Sequence, residues 1–454
     1  MNLVLPEKYS FVDLNDEHFS KTLDLILNTN QNLNIIGPAG CGKSLMIRMC
    51  SDLLGSGTVF CSTTGISAVN ISQEGVKATT LHSFFRLKPL PYYPPTFLKH
   101  DDKFRDVIRA VKTIIIDEAS MMSSHFFDTL FFLIRMYRMV SNFPRIILFS
   151  DILQLPPVIA FNNKDVHEMF EKDYGSKVMF FNAKHFEQLE FKTIHLNKLY
   201  RQKNAEFQTV LNRMREGLHT KDDLAYVNRF AMPLEKYDKT NDFYSHLVTT
   251  NKQADMINEN YLKSFGIGQE MNFFRNITGT IDQSVLNNVD ECIKLKNGLQ
   301  VMCLKNNREQ GYQNGTVGKI VSMNQDLNDQ VTIQTKDGKE LTVVREEWNN
   351  FEYEKNKDGE LQVVEKGKIT QIGCRLAKAL TTHRSQGLTL DNLYFDPGKY
   401  VFSPALTYVA LSRIRNVENL GLARPLKMDD IRASKEALEF LEKAVWFLKE
   451  FLIC

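Results

Sequence analysis

Apolar residues recur along this chain in short unbroken runs separated by polar, helix-like stretches. Leu33, Ile35 and Ile36 form one run, and Thr58-Val59-Phe60-Cys61-Ser62 a second. Val111-Lys112-Thr113-Ile114-Ile115-Ile116 and Arg145-Ile146-Ile147-Leu148-Phe149-Ser150-Asp151 follow. Near-continuous apolar strands alternating with helices indicate a parallel sheet covered on both faces. Asp16-Glu17-His18 opens a helix with Phe19, Leu23 and Ile26 on one face, and a small-residue helix spans Ile66 to Val69. A second set returns at His246 to Asn251, leading into a helix from Asp255 to Phe265, and at Leu393-Tyr394-Phe395 ahead of a helix near Pro404 to Ser412. The pattern predicts an α/β chain with two nucleotide folds. Residues 288–372 read differently: Val317 to Val321, Gln330 to Lys336 and Leu341 to Val344 alternate, with Asp337-Gly338 as a tight hairpin turn. This is an inserted all-β module. An amphipathic helix from Asp430 to Leu452 closes the chain, its apolar face expected in the core.

Composition narrows the class only a little. A length of 454 residues suggests two to four domains, and 43% hydrophobic with 24% charged residues is ordinary for a globular protein. No apolar run approaches the ~20 residues of a membrane span, and the N-terminus carries acids rather than a signal pattern. The expectation is a cytoplasmic enzyme without membrane contact. The short N-terminus leaves no room for a targeting domain, which points to a bacterial or phage source. Seven cysteines without a C-x-x-C spacing fit reduced thiols better than disulfides or a zinc site. A net charge of +2 argues neither for nor against nucleic acid, so any basic footprint must be local.

The chemistry starts at Gly37-Pro38-Ala39-Gly40-Cys41-Gly42-Lys43-Ser44, between the first apolar run and the helix-like Leu45 to Met49. G-x-x-x-x-G-K-[ST] between strand and helix is a phosphate-binding loop. Its glycines let backbone N–H groups converge on a polyphosphate, and the helix offers its positive end to the same anion. Lys43 would reach the β- and γ-phosphates and Ser44 would ligate Mg²⁺. ATP and Mg²⁺ are therefore the expected cofactors.

Asp117-Glu118, at the end of a buried strand, supplies the second half of such a site: Asp117 for the metal, Glu118 to deprotonate the attacking water. Asp151-Ile152-Leu153-Gln154-Leu155-Pro156-Pro157 follows the next strand, with Gln154 suited to the γ-phosphate and water, and a stiff Pro-Pro pair after it. Arg201 (in Leu199-Tyr200-Arg201-Gln202) and Arg413 (in Ala410-Leu411-Ser412-Arg413) are arginines that a second domain could deliver to the phosphates.

In this order the elements resemble the superfamily 1 DNA helicases, and at Asp117-Glu118-Ala119-Ser120-Met121, within Asp117 to Arg135, the petite-integration-frequency (PIF-type) helicases related to RecD. The resemblance implies a monomeric motor with two RecA-like domains and ATP between them, walking 5′→3′ on single-stranded DNA and opening single-strand/duplex junctions. It divides the chain into a first domain over 1–190 with a wedge arm at about 65–100, a second over 191–287 and 373–454, and an SH3-like insert over 288–372. By motif position the implied DNA contacts are Thr64, Gly65, His82, Phe84, Pro156, Thr250, Asn251, His383, Ser385 and Gln386. Most are small donors suited to phosphate and sugar, while His82 and Phe84 could stack on bases. The implied nucleotide contacts are residues Gly37 to Leu45 (with Pro38, Ala39, Gly40 and Cys41 in the turn), Gln154, Arg201, Gly387 and Arg413.

Two positions depart from that family. His18 stands where a glutamine usually reads adenine, and neutral imidazole offers one donor and one acceptor, so ATP-over-GTP selectivity stays open. Ser150 stands where glycine usually precedes the Asp-x-x-Gln motif, a change compatible with a negative φ. Two functional readings follow: a translocating helicase acting in replication, recombination or repair, with forks, G-quadruplexes or RNA–DNA hybrids as candidate substrates, or a DNA-stimulated ATPase switch or clamp without strand separation. RNA as the track stays open as well.

Overall fold

The computed structural model describes residues 5–12, 16–73, 75–87, 102–159, 163–175, 177–196, 198, 204–240, 243–266, 270–324, 329–358 and 360–451. The chain divides into two compact units, one of Met1–Arg201, Phe351–Val364 and Lys435–Cys454, the other of Gln202–Asn350 and Glu365–Ser434.

The first unit is built on six strands: β1 (Leu33–Ile36), β2 (Thr58–Ser62), β3 (Thr79–Thr80), β4 (Thr113–Asp117), β5 (Arg145–Ser150) and β6 (Lys192–His195). They lie in the order β3-β2-β4-β5-β1-β6, every pairing parallel. Alternation sends successive side chains to opposite faces, and both faces are dry. Ile114, Ile116, Ile146 and Leu148 enter one core, while Ile115, Ile147 and Phe149 enter the other with Leu33, Ile35 and Met46. Continuous apolar runs are what two buried faces require. Helix α1 (Glu17–Asn28) packs Phe19, Leu23 and Ile26 inward, and Asp16 caps its start by accepting from Phe19 N (3.2 Å). Its end is closed by Arg145 of β5, whose guanidinium donates to Leu25 O, Ile26 O and Gln31 O at 2.6–2.9 Å. A buried arginine thus satisfies carbonyls that a helix C-terminus leaves open.

In the second unit the strands Ala379–Thr381, Ser245–Val248, Leu393–Asp396 and Leu420–Leu422 form a parallel sheet in that order. The helix after Val248 begins at Asn251 rather than Asp255, because Thr250 caps it through Gln253 N (3.3 Å). A five-stranded antiparallel sheet joins Glu340–Val343, Gln330–Thr335, Val317–Asn324, Gln300–Cys303 and Cys374–Leu376. Its Asp337-Gly338 turn has Gly338 at φ 80°.

Residues 191–201, which contain β6, group with the first unit rather than with the second as the sequence expectation had it. So do two further stretches, Phe351–Val364 and Lys435–Cys454. Tyr353, Leu361 and Val363 of one, and Ala437, Leu438, Phe440 and Leu441 of the other, join its larger apolar core. Phe440 stacks on Phe181 at 4.2 Å. None of the six described cysteines forms a disulfide, and no described helix is long and apolar enough to cross a membrane.

Asp128, on the helix Ser124–Tyr137, shows how a charge holds this fold. Its buried carboxylate accepts from Tyr174 OH (2.9 Å), Lys184 N (3.0 Å), His185 N (3.0 Å) and His185 Nδ1 (2.8 Å). Asp128→Ala leaves all four without this acceptor and is expected to cost on the order of 3 kcal/mol. Urea unfolding measures this, and a loss below about 1 kcal/mol would show that the carboxylate is not the tie.

Candidate functional site

Three strand ends meet at one edge of the first sheet. β1 pairs with β5 through Ile36↔Ser150, and β5 with β4 through Leu148↔Ile116. Gly37, Asp117 and Asp151 therefore emerge side by side at the carboxyl edge, where open α/β sheets bind ligands.

The loop after β1 is shaped by its glycines. Gly37 N donates to Ser150 O (3.0 Å), continuing the ladder by one rung. A Cβ on Gly37 would sit 2.5 Å from Cys41 Sγ and 3.1 Å from Leu196 O, so only glycine fits. Gly40 and Gly42 have φ of 86° and 95°, the left-handed region. Helix α2 (Lys43–Leu53) then starts, its first bond running from Met46 N to Gly42 O (3.0 Å). The N–H groups of Lys43, Ser44 and Leu45 precede that bond and have no acceptor inside the helix. The Lys43 ammonium folds over the turn, donating to Gly37 O (2.6 Å) and Pro38 O (3.0 Å). Converging amide donors, a helix N-terminus and an ammonium suit a polyphosphate.

Asp117 is 8% exposed, and its Oδ2 accepts from Ser67 Oγ at 3.0 Å. Glu118 adopts the left-handed conformation, φ 51° and ψ 38°, a strain of order 1–3 kcal/mol for a residue with a side chain. The turn after β2 holds it there. Thr63 Oγ1 donates to Glu118 O (2.8 Å), Thr63 N to Asp117 O (3.4 Å) and Ser62 Oγ to Asp117 O (3.4 Å). Asp151, 1% exposed, accepts from Leu153 N (3.3 Å) and from Gln154 Nε2 (3.1 Å). Gln154 is thus fixed through its nitrogen and keeps its amide oxygen as an acceptor. Ser150 is absent from the residues of positive φ, so replacing glycine costs no backbone strain, although its buried hydroxyl finds no partner among the described residues.

The remaining sequence-predicted residues are scattered. His18 lies exposed in the first turn of α1. Thr64 is half-buried and Gly65 opens helix α3 (Gly65–Gln73). His82, on α4 (Leu81–Phe84), stacks one ring face on Phe126 at 4.5 Å, and burial lowers its pKa to about 4, so it is neutral at pH 7. Phe84 is a correction: only 6% exposed, it meets Phe85 and Tyr353 edge-on in the core and offers no face to a base. Pro156 is half-buried. In the second unit Thr250 and Asn251 are exposed at a helix start. His383 and Gln386 are half-buried, and burial lowers the pKa of His383. Ser385 is a second correction, fully buried with its hydroxyl given to Thr382 O (2.8 Å). Gly387 turns with φ 79°. Arg413 is 3% exposed, its guanidinium donating to Val409 O (3.0 Å) and Ser412 Oγ (2.8 Å). Arg201 and the 88–100 part of the expected arm lie outside the described residues. Sequence reasoning missed Thr63 and Ser67, the side chains that tie the turn after β2 to the acid pair. Hydroxyls just after a strand are too common to stand out.

A glycine-shaped loop before a helix, beside a strand-end acid pair, defines the class of phosphate-loop nucleoside triphosphatases. Residues 15–224 match the family model for PIF1-like helicases. An ATP-dependent DNA helicase Pif1 of Campylobacter jejuni is 25% identical over 421 residues, spanning 88% of this chain and 90% of that protein. Among solved structures, Pif1 of a Bacteroides species in complex with ADP-AlF4 superposes with a TM-score of 0.83 at 28% identity, over 95% of this chain and 97% of that one. Bacteroides Pif1 bound to ssDNA gives 0.65 at 27% identity, over 98% and 97%. Residues 15–224, a little under half of the chain, carry the match to PIF1-like helicases, and the likeness to Pif1 helicases runs over most of its length.

Glu118→Gln keeps the size of the side chain and one acceptor oxygen but cannot take a proton. It is expected to bind ATP as wild type does and to hydrolyse it about 10²–10⁴-fold more slowly. Equilibrium titration with a fluorescent ATP analogue beside steady-state phosphate release checks this; affinity falling in step with rate would remove Glu118 from the role of base.

Proposed function

We propose that this protein is an ATP-driven DNA helicase that moves 5′→3′ along single-stranded DNA and opens the duplex ahead of it. One observation carries the reading. Thr63 and Ser67, which bond to Glu118 and Asp117, bracket Thr64 and Gly65, the candidate DNA contacts. A DNA phosphate pressing on that turn would move groups bonded directly to the Asp117 carboxylate and to the Glu118 main chain. The relatives' name, ATP-dependent DNA helicase, and the Bacteroides Pif1 structures with ADP-AlF4 and with ssDNA support the same reading.

The residues then divide the work. The amides of Gly42 to Leu45 and the Lys43 ammonium hold the phosphates, releasing Lys43 from the carbonyls of Gly37 and Pro38. Ser44 and Asp117 are the oxygen donors for Mg²⁺, which when bound neutralises charge on the phosphates. Glu118 takes the proton of the attacking water, and Gln154, braced by Asp151, orients that water through its amide oxygen. Arg201 and Arg413 supply guanidinium charge to the transferring phosphoryl group, Arg413 after leaving Val409 O and Ser412 Oγ. In this reading the antiparallel module is an SH3-like insert in the second nucleotide fold, and a single copy of the chain is the motor. The expected arm over 65–100 is corrected in its first part, because Thr79–Thr80 joins the first sheet and Ile71, Val76, Leu81 and Phe84 enter its cores.

Steady-state ATP hydrolysis with and without a poly-dT oligonucleotide tests the proposal. Strong stimulation is expected, weakening as salt rises from about 50 to about 200 mM because phosphate contacts release counterions. Displacement of a labelled strand from a duplex with a 5′ single-stranded tail, but not from one with a 3′ tail, is expected alongside. Hydrolysis indifferent to DNA contradicts the helicase. Stimulation without displacement from either substrate favours a clamp.

A further inference from the structure

The hairpin of Arg345–Lys355 and Leu361–Ile372 puts one side chain at a place the mechanism above does not use. Tyr353 is 6% exposed, and its hydroxyl accepts from Phe60 N (3.0 Å) and donates to Lys77 O (3.0 Å). Those two backbone groups stand on neighbouring segments. β2 and β3 pair in parallel through Cys61↔Thr79 and Ser62↔Thr80 only. In such a ladder an N–H bonds to the carbonyl one residue before its partner, as Leu196 N does with Ile36 O just beyond the pair Ile36↔His195. One rung back from Cys61↔Thr79, that rule would join Phe60 N to Lys77 O. The Tyr353 hydroxyl stands between those two groups. It replaces a rung of the sheet, satisfying both groups through one oxygen and holding the strands further apart than a direct bond would.

Other contacts fix the hairpin to the same edge. The Tyr353 ring meets Phe84 edge-on at 5.6 Å, and Glu352 Oε2 lies 4.0 Å from Arg86 Nη2. The two strands that the hydroxyl joins run directly into functional candidates. β2 continues into the turn Thr63 to Ser67, with its bonds to Asp117 and Glu118, and β3 continues into α4, which carries His82.

We propose that Tyr353 is a positioning residue for the single-stranded DNA edge of the first unit, its hydroxyl setting the separation of the two strands whose ends carry Thr64, Gly65 and His82. The inference rests on the DNA-binding reading above. Removing the hydroxyl has two outcomes, and each displaces that edge. Either the rung closes, drawing Lys77 to Thr80 toward β2, or the buried Phe60 N–H loses its acceptor, loosening the strand.

Tyr353→Phe keeps the ring and its packing and removes one oxygen. Hydrogen exchange is expected to quicken in 58–67 and 77–84 while 113–117 stays protected. The poly-dT concentration for half-maximal stimulation of ATP hydrolysis should rise about 3- to 10-fold, the factor one hydrogen bond supports, a larger factor than any change in turnover without DNA. Unchanged exchange in both segments overturns the inserted rung, whatever DNA does. Faster exchange with an unchanged half-maximal concentration overturns the positioning role. Wild type that DNA does not stimulate overturns the DNA reading itself, and the role built on it falls with it.

Discussion

The hydrogen bonds between the turn after β2 and the acid pair after β4 are the constraint on which the first unit depends. Glu118 sits in a conformation that an unconstrained side-chain-bearing residue avoids, and Asp117 is a buried carboxylate; neither is stable without partners. Thr63 and Ser67 supply those partners from the adjacent strand end. The same bonds that relieve strain and burial therefore weld the turn to the Asp117 carboxylate and to the backbone that carries Glu118. Whatever moves that turn moves them.

The surroundings make this joint stiff. β2, β4, β5 and β1 are flanked by dry cores on both faces, so their ends cannot drift apart without opening packed interior. Arg145 locks α1 to the sheet from below, and Tyr353 braces the far side of β2. The phosphate loop, in contrast, keeps its freedom in a few bonds. Lys43 is held by groups of its own turn, the carbonyls of Gly37 and Pro38 and the Cys41 sulfur, an arrangement that a polyphosphate can replace.

Much of this was legible in the sequence because the physical requirement was local. A strand buried on both faces must be apolar throughout, and β4 and β5 read that way. A phosphate loop needs glycine at set positions, and Gly37, Gly40 and Gly42 each meet a need visible in the backbone. The parts that escaped depend on partners remote in the chain. Nothing around Phe84 distinguishes a ring that stacks on a base from one that packs on Tyr353, which is 269 residues away by their numbers. Ser385 fits a motif position, yet its hydroxyl is spent on Thr382 O within its own turn. Asp430 to Leu452 reads as a core-facing helix, and the helix observed is Lys435–Phe451, but periodicity does not say which core; Ala437 and Phe440 choose the first unit by the aromatic surface offered there.

The account's central claim is that the loop from Gly37 to Ser44 is a phosphate site whose charge comes from Lys43. Calorimetric titration of Mg²⁺–ATP into the wild type and into Lys43→Ala tests it most directly, without reference to DNA. The account predicts saturable one-site binding by the wild type and a loss of about 10- to 100-fold in affinity for the variant, the worth of one charge-assisted contact to phosphate. Equal affinity in the two proteins would contradict it.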